Sequence, residues 1–383
     1  MINTKHKMFF LSFFSIAIIT TSLGVLVNEL ITASYITISQ AGTIVSARSL
    51  GYLIGAFAST KLFYKINYSK ILPIYFLAIS ILLLLFLNFN SSLMTYIIIF
   101  LLFGMLKNLV TVGGNQLMSL TFIKGANNNI INYVQALYGL GTFVSPLLSG
   151  YIVTKFNISI LYVIFLSLSL GVSLYFAFSL NKINFSIKKK TQLDSESSFR
   201  NISLLIIFFA LYASCEIFIG TWGPFLLTNN GVSKNIVYLS NALFWISLAG
   251  SKIILIPLTN KLKNIKVIVL SIIISIASIL MLLIENNNAF SLITMISLGL
   301  SMGNIVPTVM KYITINKKVT SADTAWCFVG AGVGGVLSSK LFGIILQINP
   351  KATILFCVGC FFCLLVVFYF LTKSKRSFIT LKV

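Results

Sequence analysis

Few side chains in this 383-residue chain have types that can do chemistry, and those few are set into long apolar stretches. The ionisable ones are Arg48, Lys107, Glu216, Lys252, Asp323 and Lys340, with Glu29 near the end of a stretch. A charge at bilayer depth is costly, so such groups ordinarily face a protein interior or a wet path and are functional candidates. Helical spacing gathers more polar and aromatic groups onto the same faces. Asn241, Trp245, Leu248 and Lys252 follow i, i+4, i+7, i+11; Asp323, Trp326 and Gly330 follow i, i+3, i+7. Gln135, Tyr138 and Thr142 form one stripe, and Lys107, Thr111 and Gly114 another, with Asn115 beside it. Amides, hydroxyls and indole rings together suit a sugar, whose hydroxyls need hydrogen bonds and whose ring faces stack on aromatics. The competing reading makes the amides helix-to-helix glue and the tryptophans interfacial anchors.

Other chemistries lack their residues. There is no P-loop, no carboxylate pair and no His–Cys arrangement, and the only histidine is His6. Gly330, Gly332 and Gly335 spell GxGxxG, but inside an apolar stretch rather than at a strand-to-helix turn, so the match reads as close helix packing. Cys357, Cys360 and Cys363 have no His or carboxylate beside them and read as packing thiols. The chain is expected to be no enzyme and to carry no metal or cofactor.

The elements that position these groups are membrane spans. Twelve stretches, at 8–29, 39–60, 71–88, 93–118, 131–153, 159–180, 202–227, 236–259, 266–285, 288–310, 321–346 and 351–372, each approach the ~20 residues a helix needs to cross hydrocarbon. They are continuous runs rather than the ten-residue alternations of a barrel. With the N-terminus in the cytoplasm, 21 of the 28 basic residues fall in cytoplasmic segments and only Lys155, Lys234 and Lys351 outside, as the positive-inside rule requires for two cytoplasmic termini. The composition is 58% hydrophobic and 9% charged, with a mean hydropathy of +1.00. The net charge of +22 is spread over loops beside lipid, which predicts a phospholipid-facing surface and no nucleic acid partner. A polar linker at 181–201 separates six spans (1–180) from six (202–383), an arrangement that suggests two related halves with a substrate path between them.

The order of motifs resembles the major facilitator superfamily, in its fucose-permease-like branch and closest to the sodium-dependent glucose transporter group. Gly24 to Leu30 is similar to the family's helix-one segment, Ala47 to Tyr52 with Gly55 to its second, and Gly113-Gly114-Asn115, Val134 to Leu137 and Pro146 to its helix four–five region. Glu216 to Trp222 resembles the Glu…Gly-Trp of helix seven, Leu243-Phe244-Trp245 helix eight, Leu298 to Leu300 with Pro307 helix ten, and Val329-Gly330-Ala331 helix eleven. Departures accompany the likeness. Leu62 to Lys65 lacks the usual loop Asp, Thr111 and Gly335 stand where acids are expected, and Lys252 replaces an Arg.

The resemblance implies an all-α membrane protein with twelve helices in two six-helix halves, working as a secondary transporter of a small polar solute, most plausibly a monosaccharide, by alternating access. The expected solute contacts are Asn115, Gln135, Tyr138, Trp222, Asn241, Trp245, Asn304 and Trp326. Glu29, Arg48, Lys107, Glu216, Lys252 and Asp323 are the candidates for ion coupling or intramembrane charge: in a transporter coupled to H+ or Na+, Glu216 and Glu29 are the expected carriers and Asp323 the third choice, with Arg48 and Lys107 as counter-charges. A uniporter, an exporter of hydrophobic compounds and a transporter-like sensor are the alternatives. A monomer in a plasma or bacterial inner membrane is the expected setting.

Overall fold

In hydrocarbon every backbone N–H and C=O must be satisfied within the chain, and apolar runs of this length do so as helices. The computed structural model describes residues 4–62, 68–88, 92–122, 129–179, 202–254, 262–283, 288–317 and 321–373. Its helices are α1 (Thr4–Thr21), α2 (Leu23–Thr32), α3 (Ile38–Leu62), α4 (Tyr68–Asn88), α5 (Leu93–Phe122), α6 (Asn129–Lys155), α7 (Ile158–Ser179) and α8 (Ile202–Ile217). After a π-helical segment, Phe218–Trp222, come α9 (Gly223–Asn229), α10 (Lys234–Ile254), α11 (Asn264–Met281), α12 (Asn288–Gly303), α13 (Ile305–Lys317), α14 (Ser321–Ile348) and α15 (Pro350–Lys373). Because α1–α2, α8–α9 and α12–α13 run on as single rods, the sixteen segments make twelve rods. Among the described residues, nine are long and apolar enough to cross a membrane by hydropathy. The other three, α3, α4 and α10, have 25, 21 and 21 residues, which span about 30 Å or more at 1.5 Å per residue.

Two six-helix halves show in the packing. The first rod packs on the fifth, the second on the fourth and the third on the sixth; the seventh packs on the eleventh, the eighth on the tenth and the ninth on the twelfth. The second set repeats the first with every number raised by six. Between the halves, α3 lies along α14, α6 along α10, and α2 against the π segment and α9. The linker expected at 181–201 lies outside the described residues.

Within each half, hydroxyls and amides clip the helices together, as expected where lipid removes any hydrophobic drive between them. Ser145 Oγ donates to the Ile18 carbonyl at 2.5 Å, Asn108 Nδ2 to that of Tyr52 at 2.8 Å, and Ser169 and Ser173 to those of Phe76 and Pro73, both at 2.7 Å. In the second half, Ser214 reaches the Gly334 carbonyl at 3.3 Å, and Ser275 meets Ser301 at 2.8 Å. Close approach of α3 and α5 depends on glycine: a Cβ on Gly51 would strike the Leu101 carbonyl, and one on Gly104 that of Arg48. Phe57, Ile74, Phe178, Phe328 and Phe362 stand exposed on the outer faces, where lipid takes the place of water.

Candidate functional site

The two halves are joined at the end opposite the N-terminus. Lys234 Nζ, at the start of α10, donates to the Glu29 carboxylate of α2 at 3.2 and 3.4 Å. The Tyr238 hydroxyl donates to the same carboxylate and receives Asn28 Nδ2 at 3.2 Å. On the other seam, the Ser39 N–H donates to Gln347 Oε1 at 3.1 Å, and Gly42 and Gly343 bring α3 and α14 into backbone contact. Glu29, expected from the sequence as a coupling acid, is therefore held in a bond between halves. Lys234 and Tyr238 were not foreseen, since nothing in a sequence reports a contact spanning 205 and 209 residues.

Near the middle of the rods, the charges converge on one depth. Arg48 Nη2 donates to the Thr20 carbonyl at 2.8 Å, and its Cζ lies 4.8 Å from the centroid of the Tyr52 ring. Lys107 Nζ lies 4.3 Å from the same centroid, so one ring carries cations from two helices. Glu216 lies against Tyr212 and faces Lys252 of its own half and Lys107 of the other; Tyr212 in turn donates to the Met302 carbonyl at 3.2 Å. Tyr138 lies beside Lys107 and packs edge-on against Phe13, with centroids 6.3 Å apart. Tyr52 is a site residue that sequence reasoning missed; its position four residues after Arg48 on α3 was the available signal.

Broken helices frame this depth. Arg48 donates to the Thr20 carbonyl, and the first rod is interrupted two residues on, at Ser22. Pro224 removes the donor for Gly220, and the π segment surrounds that carbonyl; Pro307 does the same to Gly303, and the chain breaks at Asn304. Discontinuous helices at mid-membrane are a recurring feature of transporter binding sites, because they free polar backbone where a solute can use it.

Against these breaks sit Trp222, Asn241, Trp245 and Asn304. Trp222 and Asn241 are fully buried. Both amide atoms of Asn241, the indole N–H groups of Trp222 and Trp245 and Asn304 Nδ2 have no hydrogen-bond partner among the described residues. Buried donors and acceptors left open in this way are expensive unless something fills them. A Cβ on Gly220 would overlap the Trp245 ring, so the indole lies directly on the irregular backbone.

Toward the N-terminal end, polar residues of the described seam are exposed. Asn115 and Gln135 are exposed and hydrogen-bonded to each other, Gln135 Nε2 donating to Asn115 Oδ1 at 2.9 Å. Lys252 is exposed, and Trp326 is 48% exposed. Trp326 and the buried Asp323 do not join the central layer: they precede Gly335, which packs on Ile217 and Ser49, by nine and twelve residues, about 13 and 18 Å of helix axis. A small apolar cavity of about 30 Å³ lies inside the first half, bounded by Thr20, Arg48, Phe100 and Tyr162.

The described residues form a membrane-type helical bundle in two halves, bonded to each other at one end and with open polar groups between them. Residues 8–322 match the Major Facilitator Superfamily, and the chain belongs to that superfamily. Over 131 residues it is 28% identical to major facilitator superfamily domain-containing protein 4A of Mus musculus and of Homo sapiens; the match takes in 34% of this chain and 26% of each relative, so the chain spans about a quarter of the length of these curated relatives. Among solved structures, a point mutant of the nucleoside transporter NupG superposes with a TM-score of 0.80 at 15% identity, over 97% of this chain and 100% of that one. A bacterial homologue of the human lysosomal transporter Spinster, in an inward-facing and occupied conformation, superposes at 0.73 with 10% identity, over 97% and 96%. These likenesses establish the fold.

Proposed function

We propose that this protein moves a small hydroxylated solute, with a monosaccharide as the leading candidate, by alternating access between halves 1–180 and 202–383. The observation that carries the reading is the asymmetry of the seam. One end is bonded shut through Glu29, Lys234 and Tyr238, while Asn115 and Gln135 stand exposed toward the other. Amide and indole groups without a partner among the described residues lie between. Both termini are assigned to the cytoplasm, which assigns the bonded end to the outside and the exposed end to the inside. NupG is named as a nucleoside transporter, and a nucleoside shares a hydroxylated ring with a sugar, which supports the solute class.

Glu216 is the residue assigned to H+ or Na+ coupling, because it is the acid at the depth where the halves meet and it faces cations from both. Glu29 serves closure. Asn241, Trp245, Trp222, Tyr138 and Gln135 are the solute contacts, with Asn115 and Asn304 beside them. Uptake of radiolabelled glucose, galactose, fucose and uridine into proteoliposomes, with and without H+ and Na+ gradients, tests the reading. Accumulation under a gradient supports coupled transport, gradient-independent flux makes the protein a uniporter, and binding without flux makes it a sensor.

A further inference from the structure

The central layer carries more positive charge than the described residues neutralise there. Arg48, Lys107 and Lys252 contribute three cations, and Glu216 one carboxylate. The four share one depth. Gly335 packs on Ser49, next to Arg48, and on Ile217, next to Glu216; Gly104, three residues before Lys107, lies on the Arg48 carbonyl. Lys252 follows Ser251, which meets Gly303, the residue after the Tyr212 acceptor Met302.

Among the described residues no other acid reaches the layer. The whole of 1–180 contains one acidic residue, Glu29, and it is engaged at the closed end with Lys234 and Tyr238. Asp323 lies about 18 Å along α14 from Gly335. Lys252 is exposed, but Arg48 and Lys107 are half-buried against one ring, where like charges repel one another and are retained where a counter-charge joins them.

An open donor accompanies the surplus. Arg48 uses Nη2 on Thr20, yet its Nε is buried without a partner among the described residues, and the Tyr52 ring lies against both Arg48 and Lys107. A guanidinium and an ammonium held against one tyrosine are groups that recognise a planar or tetrahedral oxyanion.

We infer that the solute is an anion: a small hydroxylated molecule bearing a carboxylate or a phosphate, whose charge is met by Arg48 and Lys107. The inference rests on the transport reading and narrows its substrate class. Glu216 and Lys252 then form the balanced pair of the layer, and the anion supplies what Arg48 and Lys107 lack.

Binding of glucose, glucuronate and glucose 6-phosphate to the purified full-length protein, followed by ligand-induced thermal stabilisation, tests this directly. Glucuronate or glucose 6-phosphate should bind at least 10-fold more tightly than glucose, and which of the two does so distinguishes carboxylate from phosphate. Lys107→Gln should weaken that binding about 10-fold or more, the loss expected for one charge-assisted contact. Arg48→Lys should retain more affinity than Arg48→Gln, and the Lys107 variant keeps the test valid should Arg48→Gln misfold. Glucose binding as tightly as both anions, neither anion binding in the millimolar range, or anion affinity unchanged by Lys107→Gln would overturn the inference. Counterflow in proteoliposomes separates the two levels: anion binding with the expected variant effects but no solute exchange leaves the anion site standing and sinks transport.

Discussion

The Glu29 carboxylate meets the Lys234 ammonium at 3.2 Å, and the bond runs from the first half of the molecule to the second. Its position at one end of the seam makes it a latch. Lys234 is 49% exposed, so the ion pair alone contributes on the order of 1 kcal/mol or less; the more sheltered Tyr238 bond adds roughly 1–3 kcal/mol, as a hydrogen bond to a charged group does. In a cysteine-free background, a cysteine at Val27, which is 1% exposed, should be alkylated several-fold faster when Glu29→Gln is added. Lys234→Glu should act likewise, and the exchanged pair Glu29→Lys with Lys234→Glu should recover part of the protection. Equal alkylation in all four proteins would show that the latch does not hold the end closed.

Glycines at the seam and glycines within a half should fail in different ways. A Cβ on Gly42 would meet the Ser339 carbonyl at 3.0 Å and Gly343 Cα at 3.1 Å, both in the opposite half. Gly42→Val should therefore fold and insert but transport poorly, because closure of that end is blocked. A Cβ on Gly51 strikes the Leu101 carbonyl within the same half, and Gly51→Val should cost about 1–3 kcal/mol or more by overpacking. Monodispersity on size-exclusion chromatography beside uptake measures both: normal transport by Gly42→Val removes the seam argument.

The solute stripe makes a graded prediction. Trp245→Ala removes the ring that covers the backbone at Gly220 and should reduce solute affinity about 10-fold or more; stacking and burial of one aromatic face are worth roughly 1–3 kcal/mol. Asn241→Ala should act similarly, and Gln135→Ala, at the exposed end, more mildly. Uptake at sub-saturating solute is the measurement, with Trp326→Ala as the control expected to transport nearly normally. A Trp326 variant as defective as Trp245→Ala would move the site toward the N-terminal end.

Glu216→Gln preserves shape and hydrogen bonding at the carboxylate while removing its charge. Gradient-driven accumulation should be abolished and downhill exchange spared, since exchange needs no release of the ion. Glu29→Gln should slow transport through the latch without uncoupling it. Gradient-driven accumulation that survives Glu216→Gln means that the ion is carried elsewhere.

Orientation is tested with single cysteines at Asn229 and Lys266, both exposed and at opposite ends of the rods. An impermeant thiol reagent applied to intact cells should modify the first and not the second. The reverse pattern inverts the topology and assigns the bonded end to the inside.

The sequence by itself determined the twelve spans, because lipid demands continuous apolar runs that satisfy their own backbone, and such runs are visible one residue at a time. It also determined helical faces: the stripe Asn241–Trp245 follows from 3.6-residue periodicity. Pro224 and Pro307 carried the signal for two of the helix breaks, each through the missing N–H four residues on from a carbonyl. The third break, at Ser22, has no proline; Arg48 takes the Thr20 carbonyl from another helix, a contact that local propensity does not contain. Tertiary structure alone decided that Glu29 bonds Lys234 rather than standing open, that Arg48 and Lys107 share the Tyr52 ring, and that Trp326 stays out of the central layer. Each depends on which helices face each other and at what height, a choice set by glycine contacts and hydroxyl clips between segments up to some 300 residues apart, and helix periodicity gives a face without naming its neighbour.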